Sequence, residues 1–89
     1  MNAEEICLAA IALYGRERQE MLCIEECAEL IQAINKKHRG KPHNIAEEIA
    51  DVEITLFQMK RINECVEEVE RIKEEKIQRL AAKISSGRI

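Results

Sequence analysis

The sequence predicts an all-α chain of four helices. Two observations carry this: apolar residues recur at helical spacing through most of the chain, and its single Pro and three Gly fall outside those periodic segments. The first helix is expected from about Ala3 to Tyr14, with Ile6, Ala9, Ala10 and Leu13 as its apolar stripe and Gly15 closing it. The second runs from about Glu17 to Lys37 and ends at the loop HRGKPH. Asn44 opens the third, with Glu47 three positions later at capping-box spacing, and that helix continues to about Ile62. Asn63 is the expected break and cap before a fourth helix, from about Glu64 to Ile84, which SSG stops. Short links imply neighbouring, largely antiparallel helices.

A chain of 89 residues is expected to form one domain, near the small end of what folds alone. One Tyr, one Phe and no Trp give it little aromatic bulk. A chain this small commonly needs a disulfide, a metal or a partner subunit, so a bundle completed by oligomerisation is expected. No internal repeat or low-complexity segment is visible.

Cys7, Cys23, Cys27 and Cys65 form neither a CxxC nor a Cys/His ligand pattern, and no signal-peptide pattern opens the sequence. They are expected to be reduced and buried as small hydrophobes in a cytoplasmic protein. No apolar run approaches the length of a membrane span. The net charge of −3 opposes general nucleic-acid binding, which calls for a basic surface.

The informative stretch is CIEECAELIQAI, Cys23 to Ile34. With about 100° of rotation per residue, Glu26 falls between Leu22, Leu30 and Ala33, with Glu29 about 60° away. The other side of this helix carries Ile24, Cys27, Ala28, Ile31 and Ile34, while Glu25 joins Gln32 and Lys36 on the more polar arc. Helix three repeats the pattern. Glu48 and Asp51 share a face with Val52, Thr55 and Met59, opposite Ile49 and Leu56.

Two helices thus each present an acid pair at i, i+3 among apolar neighbours. Carboxylates brought together in such surroundings must be neutralised. Few Lys or Arg residues lie beside them, and oxygen-only ligands favour a hard ion, Mg²⁺ or Mn²⁺, over zinc. The competing reading is the ordinary one, in which helical glutamates form solvated faces or i, i+4 pairs. EEVERIKEEK in helix four is read in that way. Glu53 is either a third inward acid or a partner of Lys60. His38 and His43 lack metal-ligand company. Lys36 and Lys37 favour the dipole at the end of helix two or, alternatively, meet an anionic phosphate tail.

EECAE at Glu25–Glu29, followed by EIAD at Glu48–Asp51, resembles the EExxE…ExxD signature of the MazG-type all-α nucleoside triphosphate pyrophosphohydrolases. YGRERQEMLCIEECAELIQAINK, NIAEEIADVEITLFQMK and EEKIQRL are similar to the short MazG-like proteins of phages and prophages, and the resemblance covers about Tyr14 to Ile84. It implies a helical core that assembles into a homodimer or homotetramer. It also implies Mg²⁺-dependent hydrolysis of a nucleoside triphosphate to the monophosphate and pyrophosphate.

Carried over by position, Glu26, Glu29, Glu48 and Asp51 match the metal-binding acids. Glu25 or Glu29 would act on the attacking water. Lys76 and Arg79 match charged positions near the end of the family pattern and, with Lys73 in the apolar stripe of helix four, are candidates to meet the phosphates. The alternatives are a phosphoribosyl-ATP pyrophosphohydrolase and a non-catalytic helical interaction module. Neither base nor sugar specificity is legible.

Overall fold

The computed structural model describes residues 1–87. They form four helices and no strand: α1 (Ala3–Tyr14), α2 (Arg16–His38), α3 (Ile45–Ile62) and α4 (Val66–Ser85). The antiparallel α2–α3 hairpin is the structural centre, α1 lies against both its helices, and α4 touches α3 alone among the described residues.

The helix ends follow local chemistry, although not always where the sequence suggested. Asn2 caps α1 through a capping box, its side chain accepting from the Glu5 amide at 2.8 Å. The capping box expected at Asn44 does not form. Asn44 makes no side-chain cap bond, and its amide instead donates to the Glu48 carboxylate at 2.8 Å. At the end of α2, Gly40 takes a left-handed φ of 69°, and the Lys41 amide reaches back to the Lys36 carbonyl in a Schellman turn.

The α3–α4 connection uses the same turn without glycine. Glu64 adopts φ 51° while the Cys65 amide bonds the Lys60 carbonyl at 2.9 Å. Helix four therefore starts at Val66, two residues later than the sequence suggested. A left-handed conformation costs a non-glycine residue about 1–2 kcal/mol, partly offset in glycine by its greater unfolded-state freedom. Glu64→Gly is accordingly expected to stabilise the chain by about 0.5–1 kcal/mol in urea unfolding; a loss of stability would contradict the turn.

Of the predicted stripe of the first helix only Ala10 is covered. Cys7 is buried and Ala10 and Ile11 are partly covered, whereas Ile6 and Leu13 are exposed. Arg61 ties α1 to α3. Its Nε meets Glu4 at 3.2 Å, its NH1 donates to the Phe57 carbonyl at 2.8 Å, and its guanidinium lies 3.3 Å from the Phe57 ring centroid.

The core is small and mixed. Cys7, Cys23, Ala33, Val52 and Ile62 are its buried apolar residues, beside buried Gln19, Glu48, Thr55 and Gln58. All four cysteines are free thiols, with Cys27 and Cys65 only partly covered. The chain exposes 7028 Å². A compact monomer of this mass exposes about 5,350 Å². Its radius of gyration is 16.3 Å, against about 12 Å for a compact domain of this length.

Much of the difference is visible on α4, which has no buried residue and leaves Ile77, Leu80 and Ile84 more than half exposed. No described helix is long and apolar enough to cross a membrane.

Candidate metal centre

The antiparallel hairpin brings the two acid pairs together. Carboxylate oxygens of Glu26, Glu29 and Glu48 lie within 4.8 Å of one another; Asp51 stands outside that group, near enough for its charge to act on Glu26. Glu48 is buried at 6 % exposure, Glu26 and Asp51 are partly covered, and Glu29 stands at the exposed edge. The cluster is closed toward the hairpin and open toward solvent. An i, i+3 pair on each helix meets its counterpart because both pairs lie on the stripe where α2 and α3 pack.

Electrostatically this is an uncompensated site. Burial pushes the Glu26 carboxyl above the ordinary glutamate value, and the charges of Glu29, Asp51 and Glu48 push it in the same direction. Burial also raises Glu48, assisted by its contact with Glu29 and opposed by the hydrogen bond from Asn44. One oxygen of each, Glu26 Oε2 and Glu48 Oε2, is buried without a hydrogen-bond partner.

The ion pairs among the described residues lie elsewhere: Lys60–Glu70, Arg61–Glu4, Arg71–Glu75 and Lys73–Glu70. Two orphaned buried oxygens, with further carboxylates at the same place, fit a hard divalent cation. Oxygen donors alone suit Mg²⁺ or Mn²⁺. A soft ion at the neighbouring Cys23–Cys27 pair is disfavoured, because burial and Cys23 push the Cys27 thiol up, away from the thiolate.

The other sequence candidates fall in separate places. Glu25 is exposed and lines a cavity of about 360 Å³ with Tyr14, Arg18, Gln19, Met21 and Leu22, outside the carboxylate cluster. Lys73 is held by Glu70 at 3.4 Å and is exposed, which explains a lysine in the apolar stripe of α4 without a ligand. Lys76 and Arg79 are exposed on the same helix and form no ion pair with the four acids among the described residues. Glu53 lines the cleft against α1 with Ala3 and Cys7, so it is not a third acid of the cluster. Lys60 pairs with Glu70 instead of Glu53.

Sequence reasoning missed Asn44 as a donor to Glu48, and it passed over the buried amides of Gln19 and Gln58. Their signal was available in spacing: Gln19 lies seven residues before Glu26, and Gln58 seven after Asp51.

Comparison of the chain with protein-family models, curated proteins and solved structures finds no match.

Proposed function

We propose that the chain is a Mg²⁺-dependent nucleoside triphosphate pyrophosphohydrolase of the MazG-like type, acting on a (deoxy)nucleoside triphosphate in the cytoplasm as a homo-oligomer. The observation that carries this reading is the meeting of the EExxE and ExxD acids with two buried oxygens left unpartnered.

Glu26 and Glu48 are the inner ligands, with Asp51 beside Glu26 and Glu29 at the open edge. Asn44 holds Glu48 through one oxygen and leaves the other for the ion. A bound divalent ion supplies charge neutralisation for phosphate oxygens that an acidic protein would otherwise repel. Glu29 is better placed than Glu25 to accept the proton of the attacking water, because it stands at the solvent-facing edge of the cluster. Water then adds at the α-phosphorus, the α–β anhydride bond breaks, and pyrophosphate leaves.

Within one chain Lys76 and Arg79 form no ion pair with the acids among the described residues, and their contact with the phosphates is proposed for the assembled form. The surplus surface supports assembly. It would equally suit a helical interaction module without catalysis, which is the second reading.

Purified protein with Mg²⁺ and a panel of NTPs and dNTPs is expected to release pyrophosphate from at least one of them. Silence across the whole panel at high enzyme, with Mn²⁺ also tried, would favour the module.

A further inference from the structure

No Asp or Glu occurs between Leu30 and Ala46, in a chain that carries 17 of them. Within that stretch Lys36, Lys37, His38, Arg39, Lys41 and His43 gather at the tip of the α2–α3 hairpin, and all six are exposed. The Schellman turn folds this segment on itself, with the Lys41 amide 2.9 Å from the Lys36 carbonyl. An acidic protein therefore has one sharply positive end.

Part of this charge has an ordinary cause. Lys36, Lys37 and His38 occupy the last turn of α2, where the helix dipole favours cations. Arg39, Lys41 and His43 lie past that turn, on the approach to the N-terminus of α3, where a helix favours negative charge instead. Ion pairing does not absorb them either. Among the described residues, none of Lys36, Lys37, Arg39 and Lys41 is paired with a carboxylate.

The tip touches the acid cluster. Asn44, the last residue of the loop, donates to Glu48 at 2.8 Å. Glu48 is itself only 6 % exposed, and its other oxygen is buried without a partner. On α2, Lys36 follows Glu29 by seven residues, which is two turns along the same face, about 10.5 Å. An uncompensated negative group and an uncompensated positive one thus stand end to end on one hairpin. A divalent ion carrying a short chain of phosphates has the polarity that suits both.

Resting on the reading above, we propose that Lys36 and Lys41, with Arg39 beside them, hold the β and γ phosphates of the substrate and so receive the leaving pyrophosphate. The acids take the metal end of the ligand, and the loop takes its terminal phosphates. These cations belong to the same chain as the acids, so this contact needs no partner copy, unlike that of Lys76 and Arg79. The ligand is a short polyphosphate in preference to a nucleic acid. The carboxylates next to the patch repel a polyanion that extends beyond about two or three phosphates.

Inorganic pyrophosphate is the probe, because it has no sugar or base to bind elsewhere. The full chain, with Mg²⁺ present, is titrated with pyrophosphate and with orthophosphate by calorimetry. Pyrophosphate is expected to bind about tenfold tighter or more. Lys36→Gln combined with Lys41→Gln should weaken it about tenfold or more, the loss of two charge-assisted contacts. Arg16→Gln combined with Lys83→Gln removes the same charge from exposed positions elsewhere and should change binding by less than about twofold. Both double variants should keep the wild-type Tm within about 3 °C, since all four side chains are exposed.

No pyrophosphate binding by the wild type, or full affinity in the loop variant, would overturn the proposal. So would equal weakening by the two double variants, which would show an effect of net charge alone. A single-stranded oligonucleotide that binds in place of pyrophosphate, and is lost in the loop variant, would assign the tip to nucleic acid and overturn it too. If the loop variant does not fold, Arg39→Gln carries the same comparison. Loop-dependent pyrophosphate binding without turnover of any triphosphate would keep the subsite and remove the catalysis. Turnover with a KM unmoved by the loop variant would keep the catalysis and remove the subsite.

Discussion

Glu26→Gln is expected to abolish pyrophosphate release, by about 10²–10³-fold or more, while making the metal-free protein more stable at neutral pH. The two effects have one cause. Glu26 lies against Glu29, Glu48 and Asp51 with one oxygen buried and unpartnered, so its charge is useful only when a cation shares the site.

Its folded carboxyl titrates above the ordinary value of 4.5. Between the unfolded and the folded pKa the native state therefore binds the extra proton. Stability contributed by this group is fully present below 4.5 and is lost as pH rises through the folded pKa. Glu48, raised in the same direction, adds to the trend.

Metal-free wild type should thus lose Tm between pH 5 and pH 8 more steeply than Glu26→Gln, and the difference between the two isolates the cluster from the other acids. Magnesium or manganese well above its Kd should raise the wild-type Tm at pH 7.5 by on the order of 5–10 °C and the variant's by much less. Asp51→Asn should likewise abolish turnover. Parallel pH profiles for wild type and Glu26→Gln, with no response to either metal, would mean that the acids do not act as one site.

Much of this site was legible because helical periodicity fixes which residues share a face. Glu26 with Leu30 and Ala33, and Glu48 with Val52 and Thr55, lie on the packed sides of α2 and α3 as their spacing requires, whereas Leu22 of the same predicted face is exposed. What spacing cannot supply is the partner of each face. The first helix has apolar residues on more than one side, and contact with α2 and α3 selected Cys7, Ala10 and Ile11 over Ile6 and Leu13.

Asn44 illustrates a second limit. Asn followed by Glu three residues on suits a capping box, but the box needs Asn44 Oδ1 on the Glu47 N–H, and the side chain is instead turned to donate its NH2 to the buried Glu48 carboxylate. That NH2 reaches Glu48 at 2.8 Å and Glu47 only at 3.5 Å, and the buried acceptor gains more from it. The turn at Glu64 was invisible for a related reason, since a left-handed residue other than glycine gives no compositional signal. Gln19 and Gln58 were passed over because each, taken alone on its helix, looks like surface. Both are buried once the helices pack.

Assembly has the largest expected effect on stability, and the argument is one of surface. The chain exposes about 1,700 Å² more than a compact monomer of its mass. A stable interface commonly covers about 800 Å² on each partner. The surplus is therefore sufficient for an extensive interface or for two. Its apolar part includes Ile77, Leu80 and Ile84, which recur at helical spacing on the free length of α4.

Full burial of such side chains is worth about 1.5–3 kcal/mol each, so the three together approach the whole stability of a small domain. A second copy is the expected occupant, because the five buried apolar residues among the described ones leave little else to hold α4. Sedimentation at micromolar concentration should give a mass that is a multiple of 10.3 kDa, with a Tm that rises with protein concentration. Ile77→Glu combined with Leu80→Glu should dissociate the assembly and lower Tm by more than about 10 °C, since two charges enter a buried apolar face. A wild-type chain that sediments as a monomer, and a double variant that melts with it, would leave α4 as a solvated arm and the assembly without support.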